Sequence, residues 1–390
     1  MDTSPWRQWV PGALAKSQVM LLHRLGLITL EGAGNLGIGA CSIDLSVADR
    51  GFLMKRGSIK PSTGDSYDSI LKDEDLAKRL TPLEDGSFLL KRKETYVFEL
   101  RERLHQRLNE AEIHGQATAK SSIGRMDVLA RLIVDRMDTY ESFDPRRLSK
   151  SSGQMYIEIT PNTFDVRVKR GTDLTQLRLF YGNPAHSQVS GPEILKTVLG
   201  SESGEPILTL DLEPEEIRGI KVSAFRAKVL DRGQSSIPLW QKGSQDPCQY
   251  WKFVTADKKK RLQILKDQFY ILRSKERMFV PKGIAIYCKA SDETIGEMRI
   301  HYAGFVHPGF GMNRTDHLRG TQLTFEVRGH QVDANLIDGE KMANIIFYRM
   351  SRSFAEMNKS YNDQKLKLSN IFQDWPERLK IDHEGNVEPR

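Results

Sequence analysis

Lys120-Ser121-Ser122-Ile123-Gly124-Arg125 gathers two hydroxyls, two cations and a glycine within six consecutive residues. Hydroxyls, backbone N–H groups and fixed positive charge together make a cradle for an anion, and a triphosphate is a natural guest. The same residues also suit a polar turn that opens a helix with Ser122 as its N-cap, and local pattern does not separate the two. A different phosphate motif is spelled by Gly32-Ala33-Gly34-Asn35-Leu36-Gly37, which matches the G-x-G-x-x-G spacing of dinucleotide-binding turns. That fingerprint has a mechanism only where a helix follows the glycines, because the pyrophosphate rests on the helix N-terminus. Here Ile43, Leu45 and Val47 alternate with Ser42, Asp44 and Ser46, a period of two and therefore a strand. The glycines are expected in a tightly turning loop, not on a dinucleotide.

The elements that must carry these residues are mostly strands. A helix opens the chain, with Leu14, Gln18, Leu21, Leu22 and Leu25 at helical spacing and Gly26 placed to end it. After it, the segments 87–92, 95–104, 154–159, 164–171 and 174–182 read as strands with turn residues between them. At 390 residues the chain can fill two or three cores. It carries three cysteines, Cys41, Cys248 and Cys288, too few and too far apart for a disulfide framework or a four-cysteine zinc site. A reducing, cytoplasmic setting fits, and neither a signal peptide nor a membrane-spanning run is read. The balance of 58 Lys and Arg against 51 Asp and Glu, a net +7, suits anionic ligands without choosing among them. With no zinc-finger, aromatic RNA-binding or basic-helix motif, nucleic acid is an unlikely partner. The densest basic run, Lys258 to Arg261, reads as a solvated turn.

The chain repeats itself. Glu158, Gly171 and Gln176 in the first half are answered by Glu326, Gly339 and Asn344 in the second, each pair 168 residues apart, and residues 121–126 are echoed at 293–298. Duplication of one β domain is the expected cause. The expected boundaries are 1–181 for the first domain, 182–206 for a linker, 207–354 for the second domain and 355–390 for a tail.

Residues 119–128 ("AKSSIGRMDV") followed by 152–180 ("SGQMYIEITPNTFDVRVKRGTDLTQLRLF") closely resemble the bacterial dCTP deaminases of the dUTPase superfamily, in their tandem-domain branch. The strand 42–47 and the segments 268–281, 300–311 and 361–369 resemble further parts of that branch. The resemblance implies a mainly β fold with peripheral helices, built as two tandem dUTPase-like (β-clip) domains. It implies hydrolysis of dCTP to dUTP and ammonia, and a homo-oligomer, possibly trimeric, in which sites form at interfaces. Glu158 takes the position of the catalytic glutamate, a general base and acid; from the pattern alone it is a strand carboxylate facing away from Ile157 and Ile159. Ser121 and Arg125 take the motif's serine and arginine, Lys120 and Ser122 face phosphate, Gln176 lies near the pyrimidine, and Asp144 approximates an acidic position near the sugar. In the tail, Lys359, Tyr361, Gln364 and Lys367 resemble a segment that closes over the nucleotide; the tail is expected to be disordered until the triphosphate orders it, and the alternative is a tail packed on the neighbouring domain.

Zinc-dependent cytidine deamination needs His-x-Glu and Pro-Cys-x-x-Cys motifs. Pro247-Cys248-Gln249-Tyr250-Trp251 begins like the second but lacks its closing cysteine, and no His-x-Glu occurs. The expected enzyme is zinc-independent, with Mg2+ arriving on the triphosphate. Where the first domain has Ser121 and Arg125, the second has Glu293 and Glu297, whose charge would repel a triphosphate. The second domain is therefore expected to have lost its site, leaving Glu326 a structural or surface carboxylate and His301 and His307 in packing or interface roles. Alternatives are a dUTP pyrophosphatase, a bifunctional enzyme using Asp144 as a base, and a nucleotide-binding regulator or defence factor without turnover.

Overall fold

In the computed structural model, the residues described are 4–30, 37–62, 65–150, 153–200, 204–231, 233, 235–291, 298–301, 304–312, 320–352 and 366–390. The calls on Lys359, Tyr361, Gln364, Glu293 and Glu297 lie outside them, as does most of the glycine-rich loop.

Alternating apolar residues make the first sheet. Its strands run in the order Val128–Val134, Gln154–Pro161, Tyr96–Leu104, Ile43–Met54, Asp173–Tyr181, Ile113–Ala119 and Ser142–Phe143, all antiparallel. The second sheet repeats the scheme with Phe269–Met278, Ile207–Asp211, Lys341–Arg349, Ile284–Ala290 and Phe305–Val306, and Thr321–Gly329 lies on Phe269–Met278. The ladders match residue for residue. Gln176 stands between Thr118 and Asp44, and Asn344 between Lys289 and Ile207. Glu158 stands between Val97 and Arg131, and Glu326 between Ile271 and His301. Gly171 and Gly339 turn with φ of 84° and 85°, a left-handed conformation that glycine adopts without penalty. Spacing in the sequence has become register in space.

The opening helix spans Lys16–Arg24, and Gly26 beyond it has a φ of 70°. The connector is more ordered than a linker reading implies. Gln188 and Val189 pair with Tyr348 and Phe347, and the helix Pro192–Leu199 sends Val198 into the second core.

The two halves share an apolar core. The interior behind the first sheet, with Phe98, Leu132 and Ile157, continues into Phe225, Trp251, Phe253 and Phe269 of the second half. Leu366, Leu368, Ile371 and Phe372 close it from the tail. Phe372 lies 5.8 Å from Trp251, and Trp375 lies 4.6 Å from Phe253, centroid to centroid. Residues 366–375 are thus docked, as the packed-tail alternative has it: the apolar positions there are irregularly spaced, so no helical or strand period announces them, yet Leu366, Leu368, Ile371, Phe372 and Trp375 find places in or against a core that both halves leave open. A buried ion pair also crosses between the halves. Arg328 donates to Asp127 Oδ2 from Nε at 2.9 Å, to Thr163 and to the Asp267 carbonyl.

Phe372→Ala is therefore expected to destabilise the protein by about 3–5 kcal/mol, the usual cost of emptying an aromatic core position. Ile381→Ala, at a residue 42 % exposed, should stay within about 0.5 kcal/mol. Urea denaturation of both variants checks this, and equal effects would contradict a docked tail.

Candidate active site

The strand Ile113–Ala119 ends at Lys120, which caps the short helix Ser121–Gly124. Lys120, rather than Ser122, is thus the N-cap, and Ser121 is the first helical residue. The turn leaves Ser121 exposed and buries Arg125. A buried guanidinium needs partners, and the tail supplies them. Arg125 Nη1 donates to the carbonyls of Lys367 at 3.3 Å and Leu368 at 3.4 Å, and Ser369 Oγ donates to the Ser122 carbonyl at 2.7 Å. Of Lys367 it is the backbone that makes this contact, while the residue itself is exposed.

The charge that Arg125 faces belongs to the other half. Its Nε lies 3.8 Å from Glu326 Oε1. Burial pushes the Glu326 carboxyl up to about 8, against the opposing pull of Arg125. Of the two expectations for Glu326, a structural or a surface carboxylate, its burial excludes the second, and it faces the cavity that Ser121 also lines. Ser121, Arg125, Gln176 and Glu326 line one cavity of about 620 Å³, counting the part open to solvent. Its opposite wall is Phe305, Val306, His307 and Phe310, with Leu323 and Thr324 beside Glu326.

Gln176 is held through its carbonyl oxygen, which accepts from Ser42 Oγ at 3.4 Å. The strand that follows the glycine-rich loop therefore supports the cavity. Burial, aided by nearby Arg178, drives His307 down to about 3, so its imidazole is neutral. Its Nδ1 lies 3.3 Å from Cys41 Sγ. A neutral histidine and one carboxyl leave the described lining short of the ligand set of a catalytic zinc ion.

Other predicted residues lie apart from this cavity. Glu158 is 1 % exposed and closed in by its own half: Arg131 pairs with it, and Ser58 and Tyr140 donate to its two oxygens at 3.1 Å each. Arg131 in turn stacks on Tyr140, 4.1 Å from the ring centroid. Facing away from the apolar core did not expose Glu158, because a cation and two hydroxyls cover it. Asp144 pairs with Arg146, whose hydrogen bonds hold its carboxyl below the usual range. In the second sheet, the same register position, after the edge strand and before a proline, is His307. Lys120 lies at the strand end with its Nζ on Asp44 and 3.7 Å from Asp173. The sequence reading missed Glu326, Phe305, Phe310 and Thr324 as wall residues. The repeat did place Glu326 on a par with Glu158, but which glutamate meets Arg125 depends on how the halves dock.

Residues 10–183 match the family model of the 2'-deoxycytidine 5'-triphosphate deaminase N-terminal domain, and residues 195–372 match that of the C-terminal domain. Among solved structures the chain is similar to the 2'-deoxycytidine 5'-triphosphate deaminase from Agrobacterium tumefaciens, with 26% identity and a TM-score of 0.77. The alignment covers 88% of this chain and 96% of that one. No significant match was found among curated protein sequences.

The raised Glu326 carboxyl has a consequence for stability. A carboxyl with an ordinary value of 4.5 in the unfolded chain and about 8 in the folded one binds its proton more tightly when folded. Its contribution is complete below the unfolded value and is lost as pH rises through the folded value. Wild-type melting temperature should therefore fall relative to Glu326→Gln as pH rises from about 5 to about 9. Parallel melting curves across that range would show that Glu326 titrates normally.

Proposed function

The chain belongs to the 2'-deoxycytidine 5'-triphosphate deaminase family, and from that premise we propose that it hydrolyses dCTP to dUTP and ammonia in the cavity between its halves, with Glu326 as the general base and acid. The observation that carries this reading is the meeting of Ser121 and Arg125 from one half with Glu326 from the other. Attack at C4 of cytosine requires a water to lose a proton and the ring, then the departing ammonia, to gain one. A single carboxyl whose proton affinity lies near neutral pH can do each in turn. As carboxylate, Glu326 accepts a proton from the water as its oxygen bonds to C4 and donates that proton to the ring nitrogen; it then takes the proton of the new C4 hydroxyl and passes it to the amino group, so that the C4–N bond breaks, ammonia leaves and the C4 carbonyl forms.

Arg125 keeps the carboxylate accessible against its burial, and so tunes that proton affinity. Ser121, exposed at the rim, offers its hydroxyl to the water or the base, and Gln176, its carbonyl oxygen fixed by Ser42, presents its amide to the pyrimidine edge. Lys120 and Ser122, at the start of the helix Ser121–Gly124, are the residues offered to the phosphates, and Lys120 would exchange Asp44 for them. Magnesium enters as part of the substrate, on phosphate oxygens. The reading routes no step through zinc.

Attack at phosphorus would call for a further base. Glu326 is the one carboxylate among the described cavity residues, and the position of Asp144 is taken there by the neutral His307. This favours deamination alone over pyrophosphate release. Among the described residues, one chain supplies both sides of the cavity.

Glu326→Gln should lower the rate of ammonia release by about 10²–10⁴ while the variant still binds dCTP. Glu158→Gln should leave kcat within about two-fold and instead lower the melting temperature, since Arg131 loses a buried partner, a loss typically worth about 1–3 kcal/mol. Both are checked by incubating each protein with dCTP and magnesium and separating nucleotides by chromatography. The converse pattern, with activity lost in Glu158→Gln and kept in Glu326→Gln, would move the chemistry to the first half's own glutamate. Pyrophosphate or dUMP among the products would restore the bifunctional reading.

A further inference from the structure

Arg178 is fully buried two residues beyond Gln176 on the strand Asp173–Tyr181. Alternate residues of a strand share a face, so both side chains leave the first sheet in the direction of the second half. Gln176 ends at the cavity. Arg178 passes behind it: Nη1 donates to the Ile286 carbonyl at 3.0 Å, Nη2 to the Val306 carbonyl at 3.4 Å, and the guanidinium lies 3.9 Å from the Phe305 ring centroid. Phe305 and Val306 belong to the far wall of the cavity.

This guanidinium is costly to keep. No carboxylate pairs with Arg178 among the described residues, and its Nε is buried without a hydrogen-bond partner. A cation buried on carbonyls, a ring and the neutral Cys41 thiol, with no carboxylate, contributes less to stability than an apolar side chain of the same volume would. Its geometry does have one specific effect, since a planar fork can grip two carbonyls and stack on a ring at once, which neither an ammonium nor an alkyl chain can do. The wall that it grips is otherwise an edge strand of two residues, Phe305–Val306, paired on one side to Ile284–Ala290.

We propose that Arg178 is a positioning residue for the substrate, clasping the Phe305–Val306 wall to the Gln176 strand and thereby fixing the width of the cleft that takes the pyrimidine. Cys41 holds the same wall one residue further on, through His307. The proposal rests on the reading of this cavity as a nucleotide site. It concerns binding geometry, not the chemical step, so its signature is a change in KM with little change in kcat.

The test compares Arg178→Met, Arg178→Lys and Phe305→Leu with the wild-type protein. Circular dichroism and melting establish folding, kinetics with dCTP give KM and kcat, and calorimetry gives Kd for dCTP and for dUTP. In Arg178→Met, KM and both Kd values should rise about ten-fold while kcat of the folded protein stays within about three-fold and its pH profile is unmoved. A merely structural defect would lower the active fraction, and so apparent kcat, at constant KM. Arg178→Lys keeps the charge but loses the fork, and should resemble Arg178→Met; a wild-type KM in the lysine variant would assign the effect to charge and overturn the clasp. If Arg178→Met does not fold, Phe305→Leu decides, because it removes the stacked ring and leaves the guanidinium: an unchanged KM there overturns the proposal. Absence of ammonia release by wild-type protein would defeat the deaminase reading alone, and the Kd comparisons would still test the clasp.

Discussion

The approach of Arg125 to Glu326 organises this molecule. Both groups are buried and each comes from a different half, so it is docking that takes them out of water, at a cost that partners must offset. Docking brings them within 3.8 Å, and the tail completes the arrangement by turning two carbonyls toward the guanidinium. The tail's aromatic and aliphatic residues fill the shared core a few positions later. Cavity, interface and C-terminus are therefore one construction, in which the same contacts that hold the halves together orient the groups that face the ligand.

The duplication is exact in register and uneven in chemistry. Glu158 and Glu326 occupy the same rung of equivalent sheets, but Arg131 stands beside the first and His301 beside the second. With a cation on the neighbouring strand and two hydroxyls in reach, the first carboxylate becomes part of a closed ion pair. The second is left to a buried cavity with Arg125 at longer range, and its proton affinity rises accordingly. Asp144 and His307 diverge in the same way, one paired to Arg146 at the surface, the other neutral at the cavity wall. Two copies of one scaffold thus hold one glutamate in a closed ion pair and present the other to the cavity.

Buried polar contacts across the interface sort by how well they are satisfied. Arg328 and Asp127 form a compact pair supported by Thr163 and the Asp267 carbonyl, as a pair that holds a fixed docking angle requires. Arg178 has carbonyls, a ring and the Cys41 side chain but no carboxylate among the described residues, an arrangement that shapes the adjacent wall more than it adds stability. The tail closes the apolar side of the interface without a charge of its own in the core.

Much of this was legible in the amino-acid order. Period-two alternation in Ile43, Leu45 and Val47 excluded a dinucleotide turn and gave the strand that is observed, because side-chain alternation is a local property of extended backbone. The equal spacing of Glu158, Gly171 and Gln176 with Glu326, Gly339 and Asn344 stated the repeat, and the clustering of Ser121 with Arg125 picked out one side of the cavity. What the linear order left open was partnership between distant segments. Whether Arg125 meets Glu158 or Glu326, whether residues 366–390 hang free or close a core, and which of Asp144 and His307 reaches the cavity all depend on how two similar sheets pack. Both glutamates carry the same local pattern, so only docking, which buries one against Arg131 and brings the other to Arg125, could distinguish them.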